Sequence, residues 1–181
     1  MLDISNIYAK LEVTPGTDIV PAAATDAFIV SNYQVTPMES QEVRRNQDLP
    51  FPGARASLPT AIHAKHSFDI ELSGSGVAAT ATKWGSVLLR GCMFDVPTVA
   101  ADVTYPLDSV GDGKSLSLYG FKDSAKHIGL MTCGNWSMDF TEKQLPKLSL
   151  DYMALIPSGA LPAGRTNIVI TPARVIRPIR S

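Results

Sequence analysis

Along most of the chain apolar and polar residues alternate with a period of two, the signature of strands with one buried and one wet face. The first stretch sets Ile7, Ala9, Leu11 and Val13 on one side and ends at the turn Thr14-Pro15-Gly16-Thr17. A second, 27–35, is rich in β-branched and aromatic residues and is expected to stop at Pro37. The most regular run is 62–72. There Ile62, Ala64, His66, Phe68, Ile70 and Leu72 share one face, and His63, Lys65, Ser67, Asp69 and Glu71 share the other. Further strands are predicted at 103–107, 115–121, 126–132, 135–141 and 147–155. Trp136, Met138 and Phe140 fall on one face of the fourth of these; Leu148, Leu150 and Tyr152 point inward from the fifth. Gly111-Asp112-Gly113, 122–125, Gly134 and Pro146 separate them as turns.

Two segments break the alternation. After Ser73-Gly74-Ser75-Gly76, either Thr80 or Thr82 can cap a helix in which Trp84, Val87, Leu88 and Cys92 recur at spacings of three and four. Gly91 and Pro97 mark its end. The connection 36–60 holds Pro37, Pro50, Pro52, Pro59 and Gly53 around Glu39, Glu42, Arg44, Arg45 and Asp48. A connection of that length with so little core pattern is expected to be a projecting loop or hairpin that folds against a partner. Short strands with turns between them predict a mainly β fold, an antiparallel sandwich or barrel with one flanking helix.

Composition narrows the function more than the fold. Only 18% of the 181 residues are charged, against about 25% in a typical domain, so the chain has the apolar content to fold. A net charge of −1 argues against a general nucleic-acid binder. The N-terminus carries neither a basic region nor an apolar stretch, and no run approaches a membrane span, so a protein made in the cytoplasm is expected. Charge is uneven, however. Residues 165–181 contain Arg165, Arg174, Arg177 and Arg180 and no acid, leaving 12 basic against 17 acidic side chains in 1–164. An acidic body, 1–164, with a basic arm, 165–181, predicts docking of the arm on an acidic neighbour.

No catalytic set emerges. His63 and His66 lie an odd number of residues apart on a strand, so they face opposite ways and cannot share a metal; His127 stands alone. All three are expected at the surface or an interface. Cys92 and Cys133 have no metal-ligand spacing and read as reduced, buried thiols. No nucleophile elbow, P-loop or dinucleotide fingerprint is present, and the glycine pairs read as turns. Asp69 and Glu71 share a strand face without any sign of a substrate cleft. These observations predict no enzyme, no cofactor, no metal and no small-molecule substrate.

The order of the segments carries more information than any one of them. Phe68-Asp69-Ile70-Glu71-Leu72-Ser73-Gly74-Ser75-Gly76 leads to Lys83-Trp84-Gly85-Ser86-Val87-Leu88-Leu89-Arg90-Gly91-Cys92-Met93-Phe94. Then come Thr104-Tyr105-Pro106, the strand 115–121, Cys133-Gly134-Asn135-Trp136-Ser137-Met138-Asp139-Phe140, and finally Leu145-Pro146-Lys147-Leu148-Ser149-Leu150-Asp151-Tyr152. Across about 32–164 this series resembles the major tail (tail tube) proteins of long-tailed bacteriophages and Mu-like prophages. It departs from them at Met93, where glycine is usual, and the chain is shorter at its C-terminal end than many members.

The resemblance implies a tail-tube β-barrel domain over 1–164 and a structural virion protein of siphophage type. Six copies would close into a ring, and rings would stack into a hollow helical tube through which DNA leaves the capsid without specific binding. Tape-measure, terminator and distal-tail proteins would be its partners, with no membrane involved. The 36–60 loop and the 165–181 arm would then join the rings. Arg44, Arg45, Asp48, Arg165, Arg174, Arg177 and Arg180 are the candidate inter-subunit residues, the arginines pairing with acids on the adjoining copy. A lumen richer in acids than bases would keep DNA sliding, because Lys and Arg supply most non-specific phosphate affinity. The alternatives are another ring-forming tail component (terminator, distal-tail or tube-completion protein) and a β-sandwich carbohydrate- or receptor-binding module.

Overall fold

The computed structural model describes residues 6–44, 57–109, 113–122 and 125–157. Nine strands are described: β1 Asn6–Leu11, β2 Ala27–Ile29, β3 Ser31–Arg44, β4 Ser57–Glu71, β5 Thr98–Val99, β6 Val103–Thr104, β7 Leu116–Lys122, β8 Ala125–Asp139 and β9 Lys147–Leu155. All pairings are antiparallel. Seven strands form one sheet in the order β2-β1-β7-β8-β9-β4-β3, and β5 and β6 form a separate ribbon. The mainly β, antiparallel expectation therefore holds.

The sheet is not closed into a barrel, a correction to one form of that expectation. β2 and β3 are its two edges, joined only through Val30 by the chain itself. The predicted strand 27–35 thus splits at Val30: β2 pairs with β1, and β3 pairs with β4. Pro37 does not stop β3. An edge strand has one partner, and the register shifts between Thr36 and Glu39, so a residue without an N–H fits into the bulge.

β8 replaces two predicted strands and lets the sheet bend. Its first part pairs with β7 and its second with β9, with register shifts near 129–133 in both ladders. Met131, at φ 50°, stands in that bend. Its amide is taken by Oε1 of the buried Glu12 at 2.8 Å. The same carboxylate accepts from Ser117 Oγ, Ser115 Oγ and the Gly16 amide. A bulge frees a backbone donor, and Glu12 supplies the acceptor that burial would otherwise deny it.

The two halves enclose a core of Ile7, Phe28, Phe68, Leu116, Leu118, Leu148, Leu150 and Tyr152. The helical segment completes it. α1 is a single turn, Ala23–Asp26, and α2 spans Lys83–Val87. A 3-10 turn, Leu89–Cys92, follows α2. Thr82 caps α2 by accepting from the Gly85 amide, and Leu88, Leu89 and Cys92 enter the core. Tyr152 donates its hydroxyl to the Leu88 carbonyl at 2.8 Å, tying the helix to β9. No helix among the described residues is long and apolar enough to cross a membrane.

Candidate assembly interface

β4 is longer than its neighbour on one side. It pairs with β9 only from Ala64 to Glu71, so, among the described residues, 57–63 have β3 as their one strand partner. With the end of β3 they form a two-stranded arm that runs past the body of the sheet. Val43 sits opposite Leu58 in its ladder, and the two are 53% and 41% exposed. Met38 and Ile62, toward the base, are also exposed. A lone two-stranded ribbon is marginal in water, and apolar side chains on it gain only when something covers them.

Charge pins the base of this arm. Lys65 Nζ on β4 lies 2.6 Å from Glu39 Oε2 on β3, and His63 Nε2 lies 3.8 Å from the same oxygen. The Lys65 hydrogen bond, helped by the charges of Lys65 and His63, holds the Glu39 carboxyl below its ordinary range. His63 also turns Nδ1 toward the Ala61 carbonyl at 2.7 Å. These exposed pairs set direction more than stability.

The opposite end of the sheet, where Glu71 meets Lys147, is of different character. A groove of about 480 Å³ lies there, bordered by Leu72, Val77, Trp84, Tyr105 and Met138, with no charged side chain among the described residues that line it. Trp84 is held in place by its Nε1–H, which donates to the Ser73 carbonyl at 3.0 Å, and by stacking on Tyr105. Beside it β8 outruns the core. Trp136 meets Phe94 edge-on, yet Trp136, Met138 and Phe140 are exposed, Phe140 at 71%. Trp136 had a core-like pattern in the sequence; it is on the core side of the sheet but beyond the core.

The outward face of β8, β9, β4 and β3 is mixed, with the exposed Met153 among polar side chains. Gln34, Thr36, Lys65, Ser67, Asn135 and Asp151 border a depression of about 330 Å³ on it. Asp69 organises the edge of this face, accepting from Asn32 Nδ2 and from Ser149 Oγ.

Of the candidate inter-subunit residues, Arg44 is the last residue of β3, opposite Ser57, on the arm. Arg45, Asp48, Arg165, Arg174, Arg177 and Arg180 lie outside the described residues, as does the whole 165–181 arm. In the β3–β4 arm the signal that marks a contact surface is the pair Val43 and Leu58, apolar residues in an otherwise polar, proline-rich stretch.

Two other expectations need correction. His66 is not at the surface: it is 1% exposed, with Nδ1 2.9 Å from the Tyr33 hydroxyl. Burial, then the charge of His127, pushes its value down to about 4. Cys133 is exposed, whereas Cys92 is buried and its thiol is pushed up to about 11 by that burial. Both are free thiols. Among the described residues no three His, Cys, Asp or Glu side chains stand together as metal ligands.

Comparison with known proteins adds no name to this geometry: no protein-family model matches the chain, and no curated protein matches it.

Proposed function

We propose that this chain is a structural subunit of a phage-type tail tube, which closes into six-membered rings that stack into a hollow conduit for DNA. The observation that carries the reading is the β3–β4 arm, with Val43, Leu58, Met38 and Ile62 exposed on a ribbon the body does not cover. It stands at one end of the sheet, and the uncharged groove at Trp84 and Met138 stands at the other. Unlike sticky surfaces at opposite ends make heterologous contacts, which propagate, whereas like surfaces pair and stop. The ordered motifs that resemble tail tube proteins supply the particular assembly, including the tail-tube type of β domain and a location in the virion. The outward face of β8, β9, β4 and β3, which sets hydroxyl, amide and carboxylate groups beside Lys65 and Met153, suits a wall along which DNA slides.

Negative-stain electron microscopy of the purified chain over a range of concentrations tests the proposal. Hollow tubes of uniform width are expected. Rings that never stack would shift the reading to a terminator, distal-tail or tube-completion component, and particles that stay monomeric at every concentration would count against both.

A further inference from the structure

The edge strand β3 meets β7 through Tyr33, and the hydrogen-bonded pair at that seam is titratable. Tyr33 on β3 lies under the β7 backbone at Gly120, so close that a methyl group there would fall 1.7 Å from its hydroxyl oxygen. The hydroxyl is also 2.9 Å from His66 Nδ1, and the two buried rings stack with centroids 6.1 Å apart. Burial raises Tyr33 well above the ordinary phenol value, so it keeps its proton and donates it to Nδ1. Donation into Nδ1 leaves the imidazole proton on Nε2, a buried atom with no partner among the described residues.

The nearest polar group on the Nε2 side is the buried Thr132 hydroxyl of β8, and among the described residues no acid faces this ring. From β3 it is met by Tyr33. From β8 it is met by His127, and His66, His127 and Lys126 all border a cavity of about 120 Å³ at the seam. From β9 it is met by Tyr152, its partner in the ladder. Its own strand turns Lys65, Ser67 and Asp69 to the other face. Asp151 stands opposite Ser67 on that outer face, and Asp69 is engaged there by Asn32 and Ser149. A proton added to His66 therefore creates a poorly compensated charge and removes the lone pair that holds the Tyr33 hydroxyl.

We propose that the Tyr33–His66 pair is an acid-released latch, which holds edge strand β3 on its neighbour β4, with Tyr33 packed under Gly120 of β7, at neutral pH and frees it on acidification. The inference stands on the seam itself and does not depend on the tail-tube reading. Because β3 continues into the arm, release also loosens the base of the arm.

The direction follows from linkage. In the closed seam His66 resists protonation down to about pH 4; in water it returns to about 6.5. The latch is at full strength above pH 6.5 and weakens as pH falls toward 4. Its opening equilibrium should rise about 20-fold between pH 7 and pH 5.

Hydrogen exchange of the full-length chain, corrected for intrinsic rates, measures this opening. Amides of residues 31–36 should show the 20-fold increase from pH 7 to pH 5, while those of central β9 change little. His66→Asn keeps an oxygen to accept from Tyr33 but gains no proton in this range, and should flatten the response. Tyr33→Phe removes the bond that favours neutral His66, so release should begin at higher pH. An equal response of 31–36 in the wild type and in His66→Asn would overturn the latch. Imidazole 15N NMR of the wild type decides the matter if His66→Asn does not fold. A midpoint below pH 5 with the proton on Nε2 supports the latch; a midpoint near 6.5, or the proton on Nδ1, overturns it.

Discussion

Single side chains decide whether this sheet bends or tears. Glu12 is 4% exposed and carries four hydrogen bonds, from Gly16, Ser115, Ser117 and Met131, that gather β1, β7 and the bend of β8 around one carboxylate. Glu12→Ala would leave those donors without an acceptor and open a small cavity among them. The expected loss is about 3 kcal/mol, since bonds to charged groups contribute roughly 1.5–3 and stranded donors add their own desolvation; urea denaturation of the variant measures it. Gly134 is decisive for a steric reason. A Cβ there would sit 1.9 Å from the Asp151 carbonyl oxygen, and a backbone atom in a paired strand cannot swing away. Gly134→Ala should therefore cost about 3 kcal/mol. Gly74→Ala, whose nearest neighbour would be 3.9 Å away, should stay within about 0.5 kcal/mol. Equal midpoints for the two variants would refute the steric account.

At the scale of elements, the sequence was legible wherever alternation met a two-sided environment. In β4 the inward row is buried from Ala64 through His66 and Phe68 to Ile70 as alternation predicts, though Ile62 at its start is exposed on the arm, and β9 runs over the predicted 147–155. His66 shows which signal was the better one. Its residue type suggested the surface, its place in the row put it inside, and the row prevailed because a tyrosine was there to satisfy it. The helix was legible from its cap. Thr82 accepts from the Gly85 amide and also bonds the Tyr105 hydroxyl at 2.7 Å, so Thr82→Ala should cost about 1 kcal/mol in a thermal or chemical melt. The misreadings arose where glycine and proline have two uses. Gly134 looked like a turn between strands, but it is a point of close backbone approach inside β8. Pro37 looked like a stop, but a bulged edge strand absorbs it. Neither distinction is local, because each depends on which strand lies alongside. For the same reason the arm was legible only as an unusual connection. Its pairing, and the exposure of Val43 and Leu58, follow from how far β4 extends past β9.

For the whole molecule, the assembly role proposed for the arm and the groove can be tested apart from folding. Val43 and Leu58 touch water across about half their surface in the single chain, so replacing them disturbs the arm and leaves the buried core intact. Val43→Asp combined with Leu58→Asp sets two carboxylates opposite each other in the ladder and should cost about 1–2 kcal/mol, confined to the arm, so the body stays folded. In a neighbour's interface the same pair would bury two carboxylates without partners, a cost of several kcal/mol at every repeat of a stack. Sedimentation velocity should then find the variant in small species under conditions where the parent chain assembles. The basic segment argues for a second, electrostatic contact: Arg174→Glu with Arg177→Glu should also abolish tubes without unfolding the body. The two variants differ in their response to salt. Charge contacts at a surface weaken as ionic strength rises, whereas apolar burial does not. If arginines join the rings, parental tubes should shorten between low and high salt. If the arm's apolar pair dominates, tube length should hold while Val43→Asp with Leu58→Asp still prevents assembly. Tubes formed normally by both double variants would remove these surfaces from the interface and, with them, the reason for reading the arm as an assembly device.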